Sequence, residues 1–424
     1  MNNKILVLCY MVSPTRGSEY SVAWNYIRSM SANNKLDVIY GASGEHMGDT
    51  REIEEYVARN CIPNVTFHKI ATDRMCECLN ALNKKGVFRY SFYFAFRYWH
   101  YLAYREAVRL CAIQHFDLIH FLGPIGYREP GFVYKINLPY IWGPIGGTNF
   151  YPHKMFGFLP LRNRIKYGFR NFVNYLQLHF SFRVREVISR ADILIASTTS
   201  VQQNIKEYFD RDALYCPENG IVEFVLSNAN KVISSPIKLL CVGRLDSRKN
   251  FILALEALAK AKNKNHFRLT IVGDGPERTN LERHILKSGL KDIVSLTGAI
   301  SRSDVQNLFE NSDVQIITSL GEGNPTVIWE AMTYGVPTLT VDHCGMHDTV
   351  DDDTGWLLPV SYKKEMVDGL ANLLDHIADN PDEILTKSKN VLKRCEKYNF
   401  DKRVLFFEDC YEKAIKEFNA RNSE

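Results

Sequence analysis

The chain has 424 residues, of which 46% are apolar, and a formal net charge of +4. That length allows two or three domains and the apolar share excludes a largely disordered chain; 52 basic against 48 acidic residues argues against a dedicated nucleic-acid binder. Ten cysteines without disulfide-rich or zinc-like spacing fit free thiols in a reducing cytosol, and no stretch reaches the roughly 18 apolar residues of a membrane span.

Lys4–Tyr10 is an apolar run of buried-strand length and reads as a first strand, not a signal peptide. A loop over 11–18, with Pro14, Arg16 and Gly17, leads into a helix over Glu19–Ser29. Strands are expected at Leu36–Tyr40, Val65–Ile70, Asp117–Phe121, Tyr140–Trp142, Ile193–Ala196 and Leu214–Cys216, with helices between them. Such alternation predicts an α/β domain with a parallel sheet. No G-x-G-x-x-G follows the first strand and no P-loop is present, so dehydrogenase-like and P-loop chemistry lose support. His120 closes a strand at the sheet's carboxyl edge. Two Gly-Pro loops, at 122–126 and 142–147, follow neighbouring strands. Segments 84–105 and 154–185 are dense in Phe and Tyr and carry Lys and Arg without acid, a pattern suited to a membrane surface.

A boundary is expected in 222–236, where periodicity lapses. Lys238–Gly243 is then a strand, 244–250 a loop and Phe251–Lys262 a helix. Leu269–Val272 continues the series, and Gly298 ends another strand. Residues 313–341 form a βαβ unit: strand Val314–Ile317, loop 320–323, a helix with Asn324 as N-cap and Pro325 first, then strand Thr338–Val341. Glu322 lies at the carboxyl end of the first strand, beside a helix start that favours anions, and Glu330 lies inside the helix. A carboxylate beside an anion site suits a ligand with hydroxyls and phosphates together, such as a nucleotide sugar. Gly355–Leu357 is a short strand, and helices over Lys363–His376, Asp382–Tyr398 and Phe400–Phe418 close the chain.

The stretch E-G-x-P-x-x-x-x-E-A-M-x-x-G-x-P from Glu322 resembles the E-x(7)-E signature of retaining glycosyltransferases of family 4. G-R-L-x-x-x-K-N at 243–250, D-L-I-H at 117–120 and W-G-P-I-G-G at 142–147 are similar to further motifs of that family. The resemblance implies the GT-B architecture: two Rossmann-like domains facing across a cleft, with a C-terminal helix packing back on the first. The domains would be 1–225 for the acceptor, 226–398 for the donor, and 399–424 for the returning helix. It implies transfer of a hexosyl unit from a nucleotide diphosphate sugar, with retention, to a hydroxyl of a glycan or polyprenyl-linked acceptor.

Carried over position by position, Arg244, Lys249 and the Gly17 loop would hold the diphosphate and Gly298 the base. Glu330 would hold the ribose, while Glu322 with Asn324, Pro325 and Thr326 would hold the sugar. His120 would touch it near the reacting carbon. No D-x-D metal motif sits at a suitable strand end, so no metal and no cofactor are expected. The expected location is cytoplasmic, peripheral at the inner face of the cell membrane. A sugar-nucleotide epimerase of the same architecture and a catalytically silent partner subunit remain open readings.

Overall fold

The computed structural model describes residues 3–16, 19–42, 51–88, 90–221 and 232–423. It divides into two compact units. Unit 1 comprises residues up to Thr148, Leu176–Asn219 and the chain from Phe400 on; unit 2 comprises Asn149–Tyr175 and Gly220–Asn399.

Unit 1 is built on seven parallel strands: β1 (Lys4–Cys9), β2 (Lys35–Ala42), β3 (Val65–Ala71), β4 (Leu118–Gly123), β5 (Tyr140–Ile145), β6 (Ile193–Ala196) and β7 (Leu214–Tyr215). Their order is β3-β2-β1-β4-β5-β6-β7. Unit 2 has six parallel strands: β8 (Ile237–Val242), β9 (Phe267–Val272), β10 (Val294–Gly298), β11 (Val314–Ile317), β12 (Thr338–Asp342) and β13 (Gly355–Pro359), ordered β10-β9-β8-β11-β12-β13. Helices cover both faces of such sheets, which is why β1 is apolar from Ile5 on and why β4 up to Leu122 and all of β11 are buried residue after residue, with no alternation. In each sheet the strand order reverses once, between β1 and β4 and between β8 and β11. Doubly wound sheets bind ligands at that reversal, beyond the carboxyl ends of the strands.

The helix Phe400–Ser423 belongs to unit 1, as the resemblance implies. Phe407, Cys410, Tyr411 and Ala414 repeat at helical spacing and share one apolar cluster with Ile5, Val7, Leu118 and Ile141.

The division departs from the expected 1–225, 226–398 and 399–424 at its joins, which fall at Asn219/Gly220 and Asn399/Phe400, and in one whole segment. Asn149–Tyr175 is part of unit 2. Met155, Leu159 and Tyr167 are buried with Leu245, Phe251 and Leu281 in the core of that unit. Asn171 fixes the same segment by bonding both the amide and the carbonyl of Tyr151, at 2.9 and 2.8 Å. Apolar spacing announces that this stretch must be buried but not against which sheet. Most of the boundary expected at 222–236 lies outside the described residues.

The basic aromatic segments form the helices Ser91–Ile113 and Leu161–Phe180. Part of their apolar surface is core: Phe96 and Trp99 are buried. Much of it is not, since Phe94, Tyr101, Leu161, Ile165, Phe169 and Phe172 are exposed. Among the described residues no helix is long and apolar enough to cross a membrane.

Candidate functional site

The loops that leave β8 and β11 start from neighbouring strands, paired in parallel through Val314–Leu239 and Gln315–Leu240. They are stitched to each other. The amide of Leu320 donates to the carbonyl of Arg248 at 2.8 Å, and Thr318 Oγ1 donates to the carbonyl of Lys249 at 3.1 Å. Asp246 shapes the first loop, its Oδ1 accepting from the amides of Arg248 at 3.0 Å and Lys249 at 3.2 Å in the manner of an Asx turn.

This framework brings three charged side chains together at the sheet reversal of unit 2. Lys249 Nζ lies 2.8 Å from Glu322 Oε1, and Arg248 Nη1 lies 2.5 Å from Glu322 Oε2. Ser319 Oγ is a third donor to the carboxylate, reaching Oε1 at 3.1 Å. The Glu322 side chain is only 11% exposed. Burial pushes its carboxyl up, but the charges and hydrogen bonds of Lys249 and Arg248 outweigh that and hold it below the ordinary value. The group is ionised at neutral pH, and two cations against one carboxylate leave a surplus of positive charge. Arg244, on the same loop, is exposed and makes no ion pair among the described residues.

The helix Thr326–Thr333 opens at the same edge, with Pro325 as its N-cap and no side-chain cap bond. Its first amides are therefore not taken by a capping side chain. Asn324, expected as the N-cap, is shifted by one residue. It is buried, and its Oδ1 accepts the indole N–H of Trp329. Glu330 sits in this helix without a hydrogen bond among the described residues. Burial raises its pKa, with Arg302 opposing. Gly298 ends β10 at a φ of +77° and accepts the amide of Gly273 at 2.9 Å. A Cβ on Gly273 would strike the carbonyl of Gly243, so the turns after β8, β9 and β10 can meet backbone to backbone.

His120 belongs to unit 1. It lies within β4 of unit 1, three residues before the strand ends, and is fully buried. Its Nε2 is 2.8 Å from the carbonyl of Gly143, and Nδ1 is 3.1 Å from the hydroxyls of both Tyr26 and Tyr411. A carbonyl only accepts, so Nε2 carries the proton and Nδ1 accepts from a tyrosine. Burial pushes the pKa of this imidazole down to about 4. Both ring nitrogens are engaged in this arrangement, and the expectation that His120 closes its strand is corrected: β4 runs on to Gly123. Gly17 lies outside the described residues.

Three neighbours of Glu322 escaped the sequence reading. Arg248 stands beside Lys249 in the motif, and that adjacency was its only signal. Tyr151 and Arg170 come from the 149–175 segment: the Arg170 guanidinium lies 4.5 Å over the Tyr151 ring. A Cβ on Gly321 would touch that ring at 3.4 Å.

Residues 225–380 match the family model of glycosyl transferases group 1. Over 149 residues the chain is 30% identical to the putative colanic acid biosynthesis glycosyltransferase WcaL of Escherichia coli K12, covering 33% of this chain and 37% of that protein. Over 163 residues it is 29% identical to a Campylobacter jejuni GalNAc-alpha-(1->4)-GalNAc-alpha-(1->3)-diNAcBac-PP-undecaprenol alpha-1,4-N-acetyl-D-galactosaminyltransferase, covering 38% of this chain and 44% of that one. The chain thus matches less than half the length of these curated relatives. The crystal structure of Anabaena Alr3699/HepE in complex with UDP and glucose aligns over 96% of this chain and all of that one, with a TM-score of 0.57 at 15% identity. That likeness fixes the fold, two Rossmann-like units of the GT-B kind.

Proposed function

We propose that this protein is a retaining glycosyltransferase that moves a hexosyl unit from a nucleotide diphosphate sugar to a hydroxyl of a glycan or lipid-linked glycan, in the synthesis of a cell-surface polysaccharide. The observation that carries the reading is the meeting of Arg248, Lys249 and Glu322 at the reversal point of the second sheet. As the glycosidic bond breaks, the leaving nucleoside diphosphate gains negative charge, and fixed cations in a partly buried site stabilise it. Arg244, Lys249 and Arg248 serve that role, aided by the first amides of the helix Thr326–Thr333. Glu330, a carboxylate without a hydrogen-bond partner among the described residues, is suited to accept from the ribose hydroxyls, and the turn at Gly298 receives the base. Glu322 orients the cations and accepts from sugar hydroxyls, with Asn324, Pro325 and Thr326 alongside. These cations can do the work of a divalent ion, and the reaction needs no metal.

The matched family model, the colanic acid relative and the relative whose name specifies an undecaprenol-linked acceptor support this choice of reaction class, pathway class and acceptor. The exposed apolar faces of the helices Ser91–Ile113 and Leu161–Phe180 support work at an anionic membrane surface, at the inner face of the cell membrane. The test is a panel of UDP-, GDP- and ADP-sugars. A true donor at one hundred times its Kd stabilises the fold by about 2.7 kcal/mol and should be turned over with an α-linked product from an α-linked donor. No stabilisation by any of the panel would reject the reading, and an inverted product would reject retention.

A further inference from the structure

The helix Leu161–Phe180 belongs to unit 2 as far as Tyr175. On one side it exposes the apolar residues Leu161, Ile165, Phe169 and Phe172 to solvent. Tyr167 stands two residues from both Ile165 and Phe169, roughly 200° round the helix, and is buried. Asn171 follows four residues later on that same inner side. Arg162 and Lys166 are exposed beside the apolar stripe, and no Asp or Glu occurs between 161 and 180.

The inner side is tied to both loops of the charge cluster. The Tyr167 hydroxyl lies 3.2 Å from Ser247 Oγ, next to Arg248 in the loop after β8. The Tyr167 ring meets that of Tyr151 edge-on, with centroids 4.6 Å apart. Asn171 holds the amide and the carbonyl of Tyr151, and the Tyr151 ring lies against Gly321, the residue before Glu322. The same two turns of helix thus carry exposed apolar side chains outside and the supports of Arg248 and Glu322 inside.

An apolar stripe flanked by cations, on a helix without acid, fits an anionic lipid surface. Burying the stripe there fixes the helix from outside. Close-packed neighbours move together, so the loops that bear Arg248, Lys249 and Glu322 are steadied with it. A nucleoside diphosphate then finds those loops already ordered and loses less entropy on binding.

We propose that this helix couples membrane contact to the donor site: docked on anionic lipid, the chain binds a nucleoside diphosphate more tightly than in free solution. Tyr167 and Asn171 are the positioning residues that carry the coupling. The inference rests on the reading of the cluster as a nucleotide-sugar site and of the stripe as a docking face, and adds that the two are linked. Linkage is reciprocal, so the nucleotide tightens membrane binding by the same factor.

The test is equilibrium dialysis of the full chain with UDP, GDP and ADP, each with phosphatidylglycerol vesicles, with phosphatidylcholine vesicles and without lipid. Affinity is expected to rise about fivefold or more with the anionic vesicles only. An anionic surface repels a free nucleotide, so the vesicle's own field cannot produce that rise. In flotation, saturating nucleotide should lower the lipid needed for half-maximal binding by the same factor. Tyr167→Phe with Asn171→Ala cuts the ties to Ser247 and Tyr151; the variant should still float and still bind nucleotide, but lose the gain from lipid. Tyr167→Phe alone keeps the ring, should lose part of the gain, and serves where the double variant does not fold. Equal affinity with and without anionic vesicles, in a chain that floats and binds nucleotide, overturns the coupling and leaves the reading beneath it standing. An undiminished gain in the folded variant overturns it too. A chain that does not float, or that binds none of the three nucleotides, overturns the underlying reading and the coupling with it.

Discussion

Lys249 Nζ stands 2.8 Å from Glu322 Oε1, joining the loop after β8 to the loop after β11 by a largely buried charge pair. Lysine and glutamate here hold each other in place as well as facing any ligand. Removing either leaves an uncompensated charge, and the two losses differ in sign for an anionic ligand. Glu322→Gln frees two cations, so a nucleoside diphosphate should bind at least as tightly as to wild type, while transfer falls by about 10²–10³. Lys249→Ala and Arg248→Ala should each weaken the nucleoside diphosphate and cost roughly 2–4 kcal/mol of transition-state stabilisation. Calorimetry with UDP, GDP and ADP beside turnover measurements checks both halves. Weaker nucleotide binding in Glu322→Gln would contradict the assignment.

The same surplus of cations sets the metal dependence. On the proposed reading, the two ion-paired cations Arg248 and Lys249, with Arg244 and the helix start, receive the leaving diphosphate and supply the charge that Mg²⁺ supplies elsewhere. Transfer is expected to persist in excess EDTA. Abolition by EDTA with rescue by Mg²⁺ or Mn²⁺ would refute this.

The second unit was legible because its signals are local. The βαβ unit around Glu322 is bracketed by Gly, Pro and a short apolar run on each side, and β11 and β12 fall at or within one residue of the expected limits. The helix start was misjudged by one residue because an Asn before Pro suits an N-cap as well as a long-range acceptor. Only the fold shows Trp329 claiming its oxygen. The end of β4 differs from expectation for a related reason. The apolar run was ended at Phe121, yet β4 continues to Gly123 and carries the histidine into the core. Arg170 and Tyr151 could not be read at all, because their segment's allegiance to unit 2 depends on tertiary packing.

His120 and His100 make unit 1 acid-sensitive. Both are fully buried, and burial holds the His120 imidazole down to about 4 and that of His100 to about 3, with Arg183 adding to the latter. Unfolding returns each to about 6.5. Between those values the unfolded chain binds more protons, so stability rises with pH. The contribution is complete above pH 6.5 and is lost as pH falls through the folded values. Each histidine should cost roughly 1.4 kcal/mol per pH unit below 6.5, seen as a falling urea midpoint. His100→Phe should flatten that slope. Tyr26 and Tyr411 are hydrogen-bonded to each other, so His120→Ala leaves one of these hydroxyls without an acceptor and the Gly143 carbonyl without its imidazole donor, and should cost roughly 2–4 kcal/mol of stability at pH 7. Turnover per folded molecule should stay near wild type; a specific loss of turnover in a stably folded variant would restore a direct role.

Membrane docking is the prediction that the structure reshapes most. Leu161, Ile165, Phe169 and Phe172 follow one another at spacings of four and three on the helix Leu161–Phe180, and they are 56–71% exposed. These aromatics are not simply core, which removes the plainest competing account of the segment. Arg162 and Lys166, also exposed, flank the stripe. Each such cation contributes about 1 kcal/mol near an anionic surface, and burial of the apolar stripe adds a hydrophobic term. Arg170 and Arg164 are poor probes of docking, because Arg170 lies over Tyr151 beside Glu322 and Arg164 donates to the carbonyl of Leu159 at 2.8 Å. The informative variants are therefore Arg162→Glu with Lys166→Glu, and Phe169→Ser with Phe172→Ser. In liposome flotation the wild type should rise with anionic vesicles, weaken with added salt, and fail with neutral ones. The charge pair should lose most binding at low salt, and the phenylalanine pair should lose the part that survives high salt. A wild-type chain that stays at the bottom of the gradient with anionic vesicles at low salt would rule out docking and leave a soluble acceptor as the better reading.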